Sequence, residues 1–392
     1  MREYRSLANA ILLAALSAVV SLNAAQARNE KVLYNFTGGV DGNDPDSRLV
    51  MDSDGNLYGT TFDGGDFNAG TVFKLRPDGV QSVLYSFTGG KDGGFPTGDL
   101  ILETDNGGLV GTTEAGGDNG LGTIFTVDRN GGGEEVDYSF TGGSDGANPV
   151  GGLVEDGTFD LYGTTKNGGD SGFGTVFELI PFGGGFKVLH TFTAGLVDGA
   201  NPEGTPVLDA DGNLYGTTLE GGTLGQGTVF KITAKGKEKV LHSFDGSNDG
   251  RFPTAGVAID LDGNIYGSTP GGGQNIAGTL YEITKKGKFK VLHAFSGSDD
   301  GGNPVGAPLL GSAGDIYGVT FGGGVCCASV GTVFKISPSG KEKVLHYFDT
   351  DVDVSDGLKP SSGLIVDSGG TLYGVTAEGG AGNAGTVFRV RD

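Results

Sequence analysis

Apolar residues come in short bursts along this chain. In one stretch, Leu49 to Met51, Asn56 to Thr61, Thr71 to Leu75 and Ser82 to Thr88 are rich in β-branched and aromatic residues, and Asp-Gly, Gly-Gly and Pro-Asp-Gly separate them. Side chains of that kind favour a pleated backbone and the separators are turn formers, so four consecutive strands are predicted. The pattern then repeats. The run Leu57-Tyr58-Gly59-Thr60-Thr61 has counterparts beginning at Leu109, Leu161, Leu214, Ile265, Ile316 and Leu372. Gly70-Thr71-Val72-Phe73 and an Asp-Gly-x-x-Pro motif recur with it, giving seven copies at a period of about 52 residues.

Four antiparallel strands per period make one blade of a β-propeller, and seven such blades can close into a ring. The predicted fold is therefore all-β, a seven-bladed propeller over residues 28–392. Its ends are out of phase with its blades. Lys31 to Phe36 matches the fourth strand of the repeat, and Gly385 to Val390, near the C-terminus, matches the third. Pairing the two would complete the last blade and remove both open sheet edges.

The combination of LYGTT, a double glycine, GTVF and VLYSFTGG followed by Asp-Gly-x-x-Pro resembles the GloVer-type tandem repeat of exported bacterial proteins, from Lys31 to Asp392. The resemblance implies an exported repeat array, one with varied C-terminal anchoring among its members. It implies no particular activity and no catalytic residues, so function has to be argued from sites.

Residues 1–27 read as an export signal, with Arg2 and Arg5 ahead of the apolar run Leu7 to Leu22 and Ala25-Gln26-Ala27 as the cleavage pattern. No later segment is long enough to be a membrane helix. The expectation is a soluble, monomeric protein of the periplasm or cell exterior. A formal net charge of −22 argues against nucleic acid or anionic lipid as partners. It favours cations. Glycine is unusually abundant, at 79 of 392 residues, but 23 Phe and 12 Tyr supply enough apolar bulk for packed strands.

Repetition supplies an internal control, because a residue type present in one slot of every copy is architectural. His190, His242, His293 and His346 occupy the slot of Tyr34, Tyr85 and Tyr138, which assigns them a structural role. Phe36 and its counterparts through Phe348 are expected between blades. The motif aspartates Asp41, Asp92, Asp145, Asp198, Asp249, Asp300 and Asp356 fall on one face with the Gly-Gly loops. They are candidate calcium or other cation ligands, set against the simpler role of bonding their own turns. The hairpin aspartates Asp52, Asp209 and Asp260 invite the same question, but their loops are too short for a twelve-residue calcium loop. A turn with a left-handed glycine fits better.

Small residues two places after each motif proline, from Ser47 and Gly98 to Ser362, predict close approach of the first strands around the axis. At the next position the copies differ: Arg48 and Asp99 replace small residues and are candidate ligand contacts or an ion pair. Glu155 is a third candidate, in a slot otherwise apolar, with a one-residue register change as its alternative. Cys326 and Cys327 lie in the only lengthened copy of the Gly-Gly loop. Export favours oxidation, and with no other cysteine the expected product is a vicinal disulfide, ahead of free thiols.

No Ser-His-Asp set can be assembled without a repeat-slot histidine, and neither a phosphate loop nor zinc-ligand spacing is present. The leading expectation is a non-catalytic propeller that requires no cofactor and binds a small molecule, glycan or surface protein through its loop face. The alternatives are a lyase or hydrolase with acids at the channel mouth, and a surface or matrix scaffold.

Overall fold

Each repeat folds as the antiparallel unit its pattern predicts. In a computed structural model that describes residues 30–103, 107–181, 183–324, 330–349 and 356–392, the first blade contains Val50–Met51, Leu57–Asp63, Thr71–Leu75 and Gln81–Ser86 in spatial order. Asn43–Pro45 pairs with the far end of Leu57–Asp63, so the innermost strand is split. The residues between its two halves lie at the axis. Seven blades of this kind form the propeller, and all their strand pairs are antiparallel. No helix among the described residues is long and apolar enough to cross a membrane. The export segment and the Cys326–Cys327 pair lie outside the described residues.

The ring closes as the phase of the repeat requires. Glu30–Asn35 pairs with Thr386–Arg391, with Lys31 opposite Arg389 and Val32 opposite Phe388. The first strand among the described residues is thereby the outer strand of the last blade. Both edges that the phase shift would otherwise leave open are paired.

Adjacent blades are joined by contacts that explain the repeated motifs. The outer-strand Phe of one blade meets the third-strand aromatic of the next edge to face, as in Phe87 on Phe125 at 4.9 Å and Phe192 on Phe230 at 5.2 Å. These rings are fully buried. The motif proline packs on the first glycine of GTVF in the preceding blade. A Cβ at Gly70 would stand 2.5 Å from Pro96 Cδ, and one at Gly227 would stand 2.6 Å from Pro253 Cδ. The residue before the proline donates its N–H across the same interface, Phe95 to the Ala69 carbonyl and Asn148 to the Leu121 carbonyl, both at 2.8 Å. To do so it adopts a left-handed backbone in every copy, with φ between 54° and 58° at Asp44, Phe95, Asn148, Asn201, Phe252, Asn303 and Lys359. Asparagine tolerates that conformation, whereas for Phe and Lys it is strained. Glycine in GTVF and proline in the loop are thus two halves of one joint.

Inside each blade the last Thr of the LYGTT motif and the Thr of GTVF form a buried hydroxyl pair, for example Thr61 with Thr71 at 2.9 Å. A bulge also recurs. The outer strand gains one residue against the third strand, between Val83 and Tyr85 in the first blade and between Val32 and Tyr34 in the last. Bulges re-aim side chains. Here the bulge sits next to the Tyr/His slot.

Candidate functional site

The loop aspartates and the Tyr/His slot prove to be parts of one motif. Tyr34 donates its hydroxyl hydrogen to Asp41 at 2.9 Å, and the Thr37 N–H donates to the same carboxylate oxygen at 2.9 Å. Tyr85 and Tyr138 do the same for Asp92 and Asp145. In the other blades a histidine Nε2 takes the place of the phenol, with His190 on Asp198, His242 on Asp249, His293 on Asp300 and His346 on Asp356 at 2.8–3.2 Å. Burial, followed by the bond to Asp41, pushes the Tyr34 phenol up to about 12. In Asp198 burial acts upward, but the bonds from His190, Thr193 and the Gly199 amide outweigh it and hold the carboxyl below its usual range.

Each loop aspartate is therefore bonded within its own turn. Among the described residues, the one group of three or more acids and histidines with ligand atoms within 4.8 Å of one another is Glu30, His346 and Asp356, at the closing seam. There the imidazole and the Asp356 carboxylate already bond each other. The hairpin aspartates are also occupied. Asp52 accepts from the Asp54 and Asn56 amides and from the Tyr58 hydroxyl, and Gly55 has φ 79°. Asp209 and Asp260 repeat this arrangement, with Gly212 and Gly263 left-handed.

The axis is different. All seven blades contribute to a cavity of about 300 Å³ between the split first strands. Its walls are mostly backbone. A Cβ at Gly151 would come within 2.8 Å of the Gly204 carbonyl, and one at Gly204 within 2.4 Å of the Gly256 amide nitrogen, so larger side chains are excluded. Arg48 and Asp99 stand in this otherwise small-residue ring and are brought together. The Arg48 backbone N–H donates to Asp99 Oδ1 at 2.9 Å, and Arg48 Nε lies 3.5 Å from Asp99 Oδ2. Thr205 donates its hydroxyl hydrogen to Asp99 Oδ2 at 3.1 Å, and Thr205 Oγ1 in turn accepts the Gly152 N–H at 3.0 Å. Three blades thus meet on one carboxylate, and Gly152 of a fourth joins them through Thr205. Arg48 remains 38% exposed, so much of its guanidinium faces open space.

Two further acids stand in the cavity wall, both in the slot directly after the motif proline. The other copies hold Thr97, Val150, Thr254, Val305 and Ser361 there; the first has Asp46 and the fourth has Glu203. Burial, then the nearby Asp44, Asp99 and Glu114 carboxylates, pushes Asp46 up to about 7. Glu203 is bonded to Lys166 at 2.7 Å. Thr205, Asp46 and Glu203 were open to the same slot-by-slot comparison that singles out Arg48 and Asp99.

Glu155 lies elsewhere. It pairs with Leu161 as Leu208 pairs with Leu214 and Ile259 with Ile265, so no register change occurs in its hairpin. The cavity wall in this blade ends at Val154. Glu155 therefore does not join Arg48 and Asp99.

Solved structures similar to this one are propellers of distant sequence. The extracellular domain of a B. thetaiotaomicron protein assigned as a hybrid two component system aligns at TM-score 0.59 and 12% identity, over 93% of this chain and 41% of that one. A second such domain from the same organism aligns at 0.58 and 11%, over 92% of this chain and 39% of its own length. The chain thus spans about two fifths of the length of these relatives. A Bacteroides uniformis protein assigned as a 6-phosphogluconolactonase aligns at 0.51 and 16%, over 84% of this chain and 89% of its own. At these identities the likeness concerns the fold alone. No curated protein matches the chain in sequence. The Gloeobacter/Verrucomicrobia repeat matches residues 16–208 and 203–392, and with its seven copies of the motif the chain belongs to that repeat family.

Proposed function

We propose that this protein is an exported, non-catalytic binding propeller whose axial mouth takes a small polar ligand, with a saccharide unit as the best chemical match. The observation that carries this reading is the Arg48–Asp99–Thr205 network in a cavity to which every blade contributes. At the loop aspartates the repeat fills equivalent slots with equivalent chemistry. Here it places a cation, a bonded carboxylate, a second acid whose carboxyl burial pushes up, and hydroxyls around a space of about 300 Å³. A guanidinium and carboxylates held by other blades are ready to bond ligand hydroxyls without reorganising, which limits the ordering cost of binding. Similar propellers described as extracellular domains fit an exported binding role.

The test is a thermal-shift and calorimetric screen against neutral sugars, uronates and aldonates. A binder of this site stabilises the parent in proportion to ln(1 + [L]/Kd). Arg48→Gln is expected to weaken binding by about tenfold or more, equivalent to about 1.4 kcal/mol. Undiminished binding by the variant would remove the axial site from consideration. Asp46, poised near neutral pH, favours the alternative of an acid catalyst at the channel mouth. Turnover of a bound sugar or lactone that Asp46→Asn abolishes would replace the binding reading with that one.

A further inference from the structure

We propose that a trough between the fourth and fifth blades, on the face opposite the Asp-Gly-x-x-Pro loops, is a docking site for a linear anionic polysaccharide of the uronate type. It has a volume of about 1120 Å³ and is bounded by the hairpins around residues 233–237 and 284–288 and by the turns that follow Leu208 and Ile259. Lys237 and Lys239 stand on one wall and Lys285 and Lys286 on the other, with Lys235, Lys288 and Lys290 close by in sequence. All of these lysines are exposed. Among the described residues, none has its ammonium in a salt bridge or hydrogen bond.

That is unusual for this chain. Its net charge is −22, and most described lysines elsewhere find carboxylates, among them Lys91 with Asp118, Lys166 with Glu203, Lys187 with Glu178 and Lys359 with Glu378, all at 2.7–2.8 Å. The corresponding hairpins of the first three blades are Arg-Pro-Asp-Gly-Val, Asp-Arg-Asn-Gly-Gly and a glycine-rich turn, without a comparable cluster. The trough also contains Asp209 and Asp260, but their oxygens are held by Asn213, Tyr215, Asn264 and Tyr266 within their own turns. Asp211 and Glu238 complete its acids. An excess of uncommitted ammonium groups facing each other across a trough is complementary to a chain of single negative charges lying along it. Lysine rather than arginine suits that task, since no planar bidentate acceptor has to be matched.

The walls favour a glycan over an acidic peptide. Turn amides here are already used, with Thr233 donating to Lys237, Gly236 to Thr233 and Thr284 to Lys288. A peptide would leave its own amides without partners, because no backbone ladder is offered to it. A uronate chain keeps its hydroxyls in water and can lay its C–H faces on the half-buried Leu241 and Ile259 while its carboxylates reach the lysines.

The experiment measures binding of the purified protein to oligogalacturonate, dextran and poly-L-glutamate by calorimetry at low and moderate salt. The expected result is binding of oligogalacturonate that weakens as salt rises, with none to dextran. Lys237→Glu combined with Lys285→Glu should reduce the affinity by about tenfold or more. Lys91→Glu on the other face should leave it unchanged, and any monosaccharide binding that Arg48→Gln weakens should be unchanged in the lysine double variant. These positions are exposed or open, so melting curves should stay at the parent value. Absence of binding at low salt, or equal binding by the double variant, would overturn the proposal. So would equally tight binding of poly-L-glutamate, or salt-sensitive self-association that the double variant abolishes. Because the axial variant is a separate arm, failure of one site is distinguishable from failure of the other.

Discussion

The ring of loop aspartates and the axial ring occupy the same propeller and are built from the same repeat, yet they are constructed on opposite rules. At the loops, Asp41 through Asp356 each accept from a Tyr or His side chain and from a turn amide, seven times over. At the axis, equivalent slots hold Arg48, Asp99, Gly152, Thr205 and Gly256, and contacts run between blades that are 51 and 106 residues apart. Sameness marks groups whose bonding capacity is used by the fold. Difference marks groups whose remaining capacity is available to something else.

The sharpest way to break this contrast is to damage the repeated layer. Phe230→Ala removes a ring with no exposed surface that packs on Phe192. It should cost about 3–5 kcal/mol in a urea titration, because the ring closure leaves little room for the site to collapse. Asp145→Ala should cost less, about 1–3 kcal/mol, by leaving the Thr141 amide and the Tyr138 hydroxyl without an acceptor. Asp145→Asn should recover part of that loss. A loop aspartate whose removal left stability unchanged would end its architectural assignment.

A smaller effect depends on pH. Burial, then Asp300, pushes Glu342 up to about 7, and its Oε1 has no hydrogen-bond partner. The folded value lies above the unfolded one. The folded state therefore binds the extra proton between these values, and stability falls as pH rises from about 4.5 to about 7. Glu342→Gln should stabilise the protein by about 1 kcal/mol at pH 8, after allowance for partial solvent screening, and should give no gain at pH 4. Melting curves at the two pH values check the sign. Glu134, raised to about 7 by burial and by Asp92, should behave alike.

The smallest expected stability effect sharpens the comparison from the other side. Arg48→Gln should change the melting free energy by no more than about 0.5 kcal/mol, since its ion pair is partly exposed. Its effect should appear in ligand binding alone. If that substitution were as destabilising as Asp145→Ala, the axis too would be architecture.

Slot comparison was powerful because each strand, turn and joint is written seven times, so the repeated roles of glycine, proline and phenylalanine stand out from local variation. It also pointed to Arg48 and Asp99 as departures. At Glu155 a departure in residue type is not a departure in place: the hairpin keeps its register and the cavity wall of that blade ends at Val154. The roles of Asp46 and Glu203 went unread because a charge after a proline looks like ordinary loop chemistry until its neighbours are known.

By itself, then, the sequence determined the number of blades, their strand order, the closing strand and the close approach at the axis. All of these follow from local propensities and spacings repeated at a constant period. Tertiary structure alone decided that the Tyr/His slot is the donor to the loop aspartate, because a bulge in the outer strand sets its aim. It also decided that Asp99 gathers Arg48 and Thr205, and that Lys237, Lys239, Lys285 and Lys286 of the fourth and fifth blades line one trough. Those outcomes depend on which residues meet when the ring closes, and spacing along one chain does not encode the angle between blades.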